Sequence, residues 1–203
     1  AAKDLLDEAE IRYNNAIFVQ EIGQASSKIL DIDKLLERVV KIMEYRLDFD
    51  RGMIMLANEA KTHLTYKHGY GYDAEFQALV KNIAFHLDKF QSKGVVVRAF
   101  KEQKPFLVND VNKIEHDLTE KSLDFLRQAG THNFICVPII YETESLGVVM
   151  VDNVASKRAL TQSDMNLLMG VASQTAVSIV NASSFQKLQE SAEKYKNILE
   201  SIE

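Results

Sequence analysis

The stretch Phe134-Ile-Cys-Val-Pro-Ile-Ile140, Tyr141-Glu-Thr-Glu-Ser145, Leu146-Gly-Val-Val-Met-Val151 decides the fold. Two rich apolar runs, each short enough for a strand, are separated by five polar residues. That order predicts an antiparallel hairpin. Gly52-Met-Ile-Met-Leu-Ala57 is apolar on both faces and reads as a central strand. Leu64, Tyr66 and His68 alternate with polar neighbours in a strand that ends at Gly69-Tyr-Gly71. Ile83 to Leu87 forms another strand, and Phe106 to Val108 a brief one.

Helical periods lead, interrupt and follow these strands. Leu6, Ala9, Tyr13 and Ala16, then Phe18, Ile22, Ala25 and Ile29, predict a helix over residues 1–30, weakened at Gly23 and at Ser26-Ser27. Leu35, Leu36, Val39, Val40, Met43 and Leu47 predict a second from Asp33 to Leu47, capped by Asp31 or Asp33. Shorter helices are expected over Glu75 to Val80, Lys93 to Lys104 and Thr119 to Gln128, the last with Leu123 and Leu126 inward and Gly130 as its stop. Thr161 and Asp164 form a capping box that opens a helix able to run to the end of the chain. The expected fold is α+β: one domain with an antiparallel sheet of about six strands covered by helices, flanked by long N- and C-terminal helices.

Bulk properties narrow the function. The net charge of −5 over 203 residues carries no basic stripe, which argues against a nucleic-acid binder. No apolar run is long enough to span a bilayer, so no direct membrane contact is expected of this segment. The single cysteine, Cys136, excludes an internal disulfide framework and points to a cytoplasmic setting. His63, His68, His86, His116 and His132 show none of the spacings of a metal site. Neither a phosphate-binding glycine loop nor a nucleophile elbow occurs, so no enzymatic activity is expected. Cofactor identity is left open.

The final helix holds a further signal. Phe185, Leu188, Ala192, Tyr195, Leu199 and Ile202 recur at alternating spacings of three and four, the rhythm of a coiled-coil seam. A stripe this narrow is covered most simply by the same helix of a second copy, giving a homodimer. The chain accordingly divides into an N-terminal signalling helix (1–30), a sensor body (31–183) and a C-terminal coiled-coil linker helix (184–203) leading to a downstream domain.

Three phrases in this order resemble the GAF domain family of small-molecule sensors. The first is Gly94-Val-Val-Val-Arg-Ala-Phe100 leading to Lys104-Pro-Phe-Leu-Val-Asn-Asp110. The second is Asn133 to Ile140 followed by Ser145 to Asn153, and the third is Leu160 to Asp164 followed by Ala172 to Ile179. The resemblance spans roughly Arg12 to Phe185. Ser191 to Glu203 also looks like the lead-in helix of a PAS domain. The likeness implies a bacterial multidomain signalling protein, with a histidine kinase or nucleotide cyclase among its possible outputs. A ligand cavity is then expected between the sheet and the crossing helices. Phe100, Phe106, Phe134 and Cys136 would wall it, with Arg98, Asp110, His116, His132 and Asn153 as polar groups. The cyclic-nucleotide-binding members carry Asn-Lys, then Phe and Asp-Glu, at the hairpin-to-helix junction. Here Asn153 fits, while Val154, Leu160 and Met165 depart; Lys157 is left to pair with Asp164. The alternative is a module that has lost its ligand and only dimerises and relays.

Overall fold

The computed structural model describes residues 2–89 and 94–202, leaving aside the Ala2 side chain. Six antiparallel strands form one sheet in the order β3-β2-β1-β6-β5-β4. They are β1 (Arg51–Ala57), β2 (His63–Tyr70), β3 (Ala84–His86), β4 (Phe106–Val108), β5 (Phe134–Tyr141) and β6 (Glu144–Asp152). The quoted hairpin, β5–β6, lies at the centre beside β1, as its two-sided apolar pattern demands. Its turn is shorter than the five residues read from the sequence. Tyr141 pairs with Glu144, and Glu142 turns the chain with a left-handed φ of 53°. Polar side chains at strand ends look like loop in a sequence, but the backbone ladder continues through them. Pro138 is tolerated because β4 pairs only with residues 134–136 and leaves that position free on its side.

Alternation along β1 sends Ile54 and Leu56 to one sheet face and Met53 and Met55 to the other. The first face packs against α1 (Ala2–Ser26), α2 (Ile32–Arg46) and α6 (Gln162–Glu200). The second is roofed by α3 (Ala74–Lys81), α4 (Val95–Glu102), a 3-10 turn (Val111–Asp117) and α5 (Glu120–Gln128). Both faces are therefore covered.

Local chemistry sets the helix boundaries. Asp31 caps α2 by accepting from the Lys34 amide at 3.0 Å, while Asp33 instead reaches His68 Nε2 at 2.8 Å. The Lys93 end of the second predicted short helix lies outside the described residues; α4 begins at Val95, after Gly94. In α5, Phe125 and Leu126 are buried whereas Leu123 is only half-buried, and Gly130 ends the segment at φ 64°. Helix α1 stops at Ser26, earlier than the thirty residues read from its periodicity. There the Ser26 hydroxyl turns back to the Ile22 carbonyl at 2.7 Å. The Thr161–Asp164 capping box forms, and from it α6 runs unbroken for 39 residues.

Helices α1 and α6 run side by side in the same direction. Asn15 meets Ser163, Val19 lies against Gly170, and Ser26 shares a 2.7 Å hydroxyl contact with Ser178. The residue numbers rise together, so the pair is parallel. Residues 2–14 of α1 overhang one end by about 20 Å, and residues 183–200 of α6 overhang the other by about 27 Å.

Candidate functional site

Phe100, Phe134 and Cys136 do come together beneath α4 and α5, with Phe106 and Val108 packed against them. A small space adjoins this cluster at Phe134. Phe85, Val96, Phe125, Phe134 and Met150 close around about 20 Å³, roughly the room of one water. Aromatic rings pack beside it, with Phe125 meeting Phe85 edge-on at 5.1 Å and Phe76 at 5.5 Å. Burial raises the Cys136 thiol to about 12, so it is a neutral core group.

The polar residues expected at this cavity are not gathered around it. Arg98 points outward from α4, bonding Glu102 at 2.9 Å and lying 5.0 Å over the Phe106 ring. Asp110 caps the 3-10 turn through the Asn112 amide. His116 is exposed beside Asp117, and His132 is exposed on the segment leading into β5. Asn153 is buried, but as a strut. Its Oδ1 accepts from the Asp50 amide at 3.0 Å, its own amide donates to Asn133, and its Nδ2 donates to the Arg158 carbonyl.

Asn153 belongs to a polar junction at the end of the sheet that sequence reading missed. Arg51 grips Asp152 with Nε at 2.8 Å and Nη2 at 2.5 Å, and donates from Nη1 to the Ala129 carbonyl. Thr131 closes the arrangement: its hydroxyl accepts from Arg51 at 3.1 Å and donates to Asp152 at 2.9 Å. Burial works to lower the Arg51 pKa, yet the bond and charge of Asp152 outweigh it and the net direction is upward. Arg158 continues the junction to α6. Its Nη1 reaches Asp164 at 2.9 Å, its Nη2 donates to the Asp48 carbonyl, and its guanidinium lies 5.5 Å over Phe49. The expected Lys157–Asp164 pair is thus replaced by Arg158–Asp164, since the left-handed φ of 52° at Lys157 turns the chain and Arg158 follows onto the helix cap.

More open features lie elsewhere among the described residues. A cleft of about 200 Å³ lies between the 3-10 turn and the C-terminal end of α5. A larger groove, about 710 Å³, follows the line where the α1 overhang meets the start of α6, with Ile11, Ala16, Val19 and Leu167 along it. Beyond the body, every predicted seam residue is exposed, including Leu188 at 69%, Tyr195 at 70%, Leu199 at 67% and Ile202 at 75%. Among the described residues no cluster of three or more His, Cys, Asp or Glu is placed to hold a metal ion, and no helix is long and apolar enough to cross a membrane.

Known proteins match this architecture. A crystal structure of a methyl-accepting chemotaxis protein, residues 122 to 287, is 26% identical with a TM-score of 0.69, covering 81% of this chain and 98% of its own. The GAF domain from a phosphoenolpyruvate-protein phosphotransferase of Coxiella burnetii is 15% identical with a TM-score of 0.68, covering 86% and 98%. Free methionine-R-sulfoxide reductase from Neisseria meningitidis, solved with its substrate, is 15% identical with a TM-score of 0.64, covering 84% and 93%. The last two likenesses show the fold alone. No curated protein matches the chain. The family model described as GAF domain matches residues 31–179, from α2 through all six strands into the first half of α6, and the chain belongs to the GAF domain family.

Proposed function

We propose that this chain is a small-molecule-sensing regulatory module whose terminal helices pair with those of a second copy and carry its state to a downstream domain. The observation that carries the reading is α6 itself. Its first half is buried on the sheet at Leu168, Val171, Ala172, Ala176 and Ile179, while its second half carries an exposed apolar stripe. One rigid helix therefore joins the core to an uncovered seam of Phe185, Leu188, Ala192, Tyr195, Leu199 and Ile202. A parallel partner helix covers such a stripe by knobs-into-holes packing. The chemotaxis protein, at 26% identity, is a signalling relative in keeping with this role.

The proposed division is an input helix (1–30), a body (31–183) and an output linker (184–203) read as the lead-in to a PAS domain, in a cytoplasmic setting. To move the paired helices from 1:99 to 99:1 between two arrangements, a ligand must prefer one by about 5.5 kcal/mol. A second reading, a module that only dimerises and relays, is favoured by the roughly 20 Å³ of the pocket around Phe125, Phe134 and Met150.

The test is a cysteine placed in the seam. Leu199→Cys under mild oxidation should give a cross-linked dimer on a non-reducing gel, because equivalent positions of a parallel pair lie within disulfide reach. Cys136 is buried and stays silent. Absence of the cross-link, with the fold intact, contradicts a parallel seam.

A further inference from the structure

The cleft beside α5 has the make-up of a binding site. Leu123, Leu126 and Val111 give it an apolar floor, and its volume is about 200 Å³. Two opposite charges also line it, Arg127 on α5 and Glu115 on the 3-10 turn, joined as an ion pair. Both side chains are substantially exposed, at 63% and 44%, and an exposed ion pair of this kind contributes little to stability. A ligand that offers each group a new opposite charge displaces it at small cost. An anion alone would leave Glu115 unpaired, and a cation alone would leave Arg127 unpaired.

We propose that this cleft binds a free α-amino acid with a short aliphatic side chain. Its carboxylate pairs with Arg127, its ammonium with Glu115, and its side chain rests on Leu123 and Leu126. The planar guanidinium fork suits a carboxylate. The volume suits a side chain the size of valine or leucine. The inference rests on the regulatory reading above and adds the ligand to it.

The site is wired to the output helix. Thr131 lines the cleft and bonds Arg51 and Asp152. Two residues on, Asn133 accepts from the Asn153 amide and donates to the Arg158 carbonyl at 3.1 Å. Arg158 holds Asp164, whose carboxylate completes the cap of α6. A shift of residues 130–132 on ligand entry therefore has a hydrogen-bonded path to the first turn of α6.

The experiment is calorimetric titration of the 203-residue chain with L-valine, L-leucine and L-isoleucine. Two analogues of leucine follow, 3-methylbutylamine without the carboxylate and 4-methylpentanoate without the amine. At least one amino acid should bind, and each single-charge analogue, like Arg127→Gln and Glu115→Gln, should weaken binding by about tenfold or more. Thermal melts matched to the parent chain confirm that the variants fold, and amide shifts at Gly130 and Thr131 locate the ligand. No heat from any of the three up to about 10 mM overturns the inference, as does binding indifferent to both substitutions. Dimerisation is read separately by light scattering. A dimer that binds no amino acid refutes this site and leaves the helix relay standing, while a monomer that binds one does the reverse.

Discussion

Replacing Arg51 by methionine keeps most of the aliphatic stem and removes the guanidinium from the sheet-end junction. Asp152, 1% exposed, then keeps only the Thr131 hydroxyl among its side-chain partners. The loss is large because the remaining carboxylate stays out of water without its counter-ion. Removing one partner of a buried pair costs about 3–5 kcal/mol. In a domain of this size each kcal/mol lowers the melting temperature by about 2–4 °C, so Arg51→Met should melt about 6–20 °C below the parent. The double variant Arg51→Met, Asp152→Leu removes the stranded charge and should recover most of that loss. Urea melts of the parent, both single variants and the double variant give the coupling energy directly. A single-variant loss under about 0.5 kcal/mol, typical of a surface site, would refute the buried-pair account. So would a double variant no more stable than Arg51→Met.

Other consequences are simpler to read. Cys136 should resist thiol reagents at neutral pH until denaturant opens the fold. Its pKa rises from 9.0 to about 12 on folding, so the folded state holds the proton more tightly. The stability it contributes is complete below pH 9 and is lost as pH climbs through 9 to about 12, a loss that Cys136→Ala should remove. Labelling as fast as a free thiol at neutral pH contradicts its burial. At Gly170 a Cβ would sit 2.6 Å from Val19 Cγ2, so Gly170→Leu should push α1 off α6 and destabilise the chain by about 1–3 kcal/mol. An unchanged urea midpoint contradicts that contact.

Much of the framework was legible because it rests on periodicity. Met53 to Leu56 is apolar without alternation, which only a strand covered on both faces tolerates, and both faces are covered. The Thr161–Asp164 box announced α6 three residues into the helix. The polar groups of the site were harder to place, since their partners lie far along the chain. Arg51 and Asp152 are 101 residues apart, and each alone reads as the solvated end of an apolar strand. Asn153 has the composition of a ligand group, yet its amide and carbonyl are spent joining three loops. A filled interior and a hollow one also share a composition. Whether Phe134 and Cys136 wall a chamber or pack solid is set by how the Phe125, Phe85 and Phe76 rings fit, at distances no pattern encodes.

The mass of the chain in solution bears most directly on the relay. Light scattering should give twice the 23.0 kDa chain mass for the parent, and 23.0 kDa for Leu188→Asp, Leu199→Asp with an unchanged circular dichroism spectrum. A parent that is monomeric at tens of micromolar, or a double variant that stays dimeric, contradicts signalling through a paired α6.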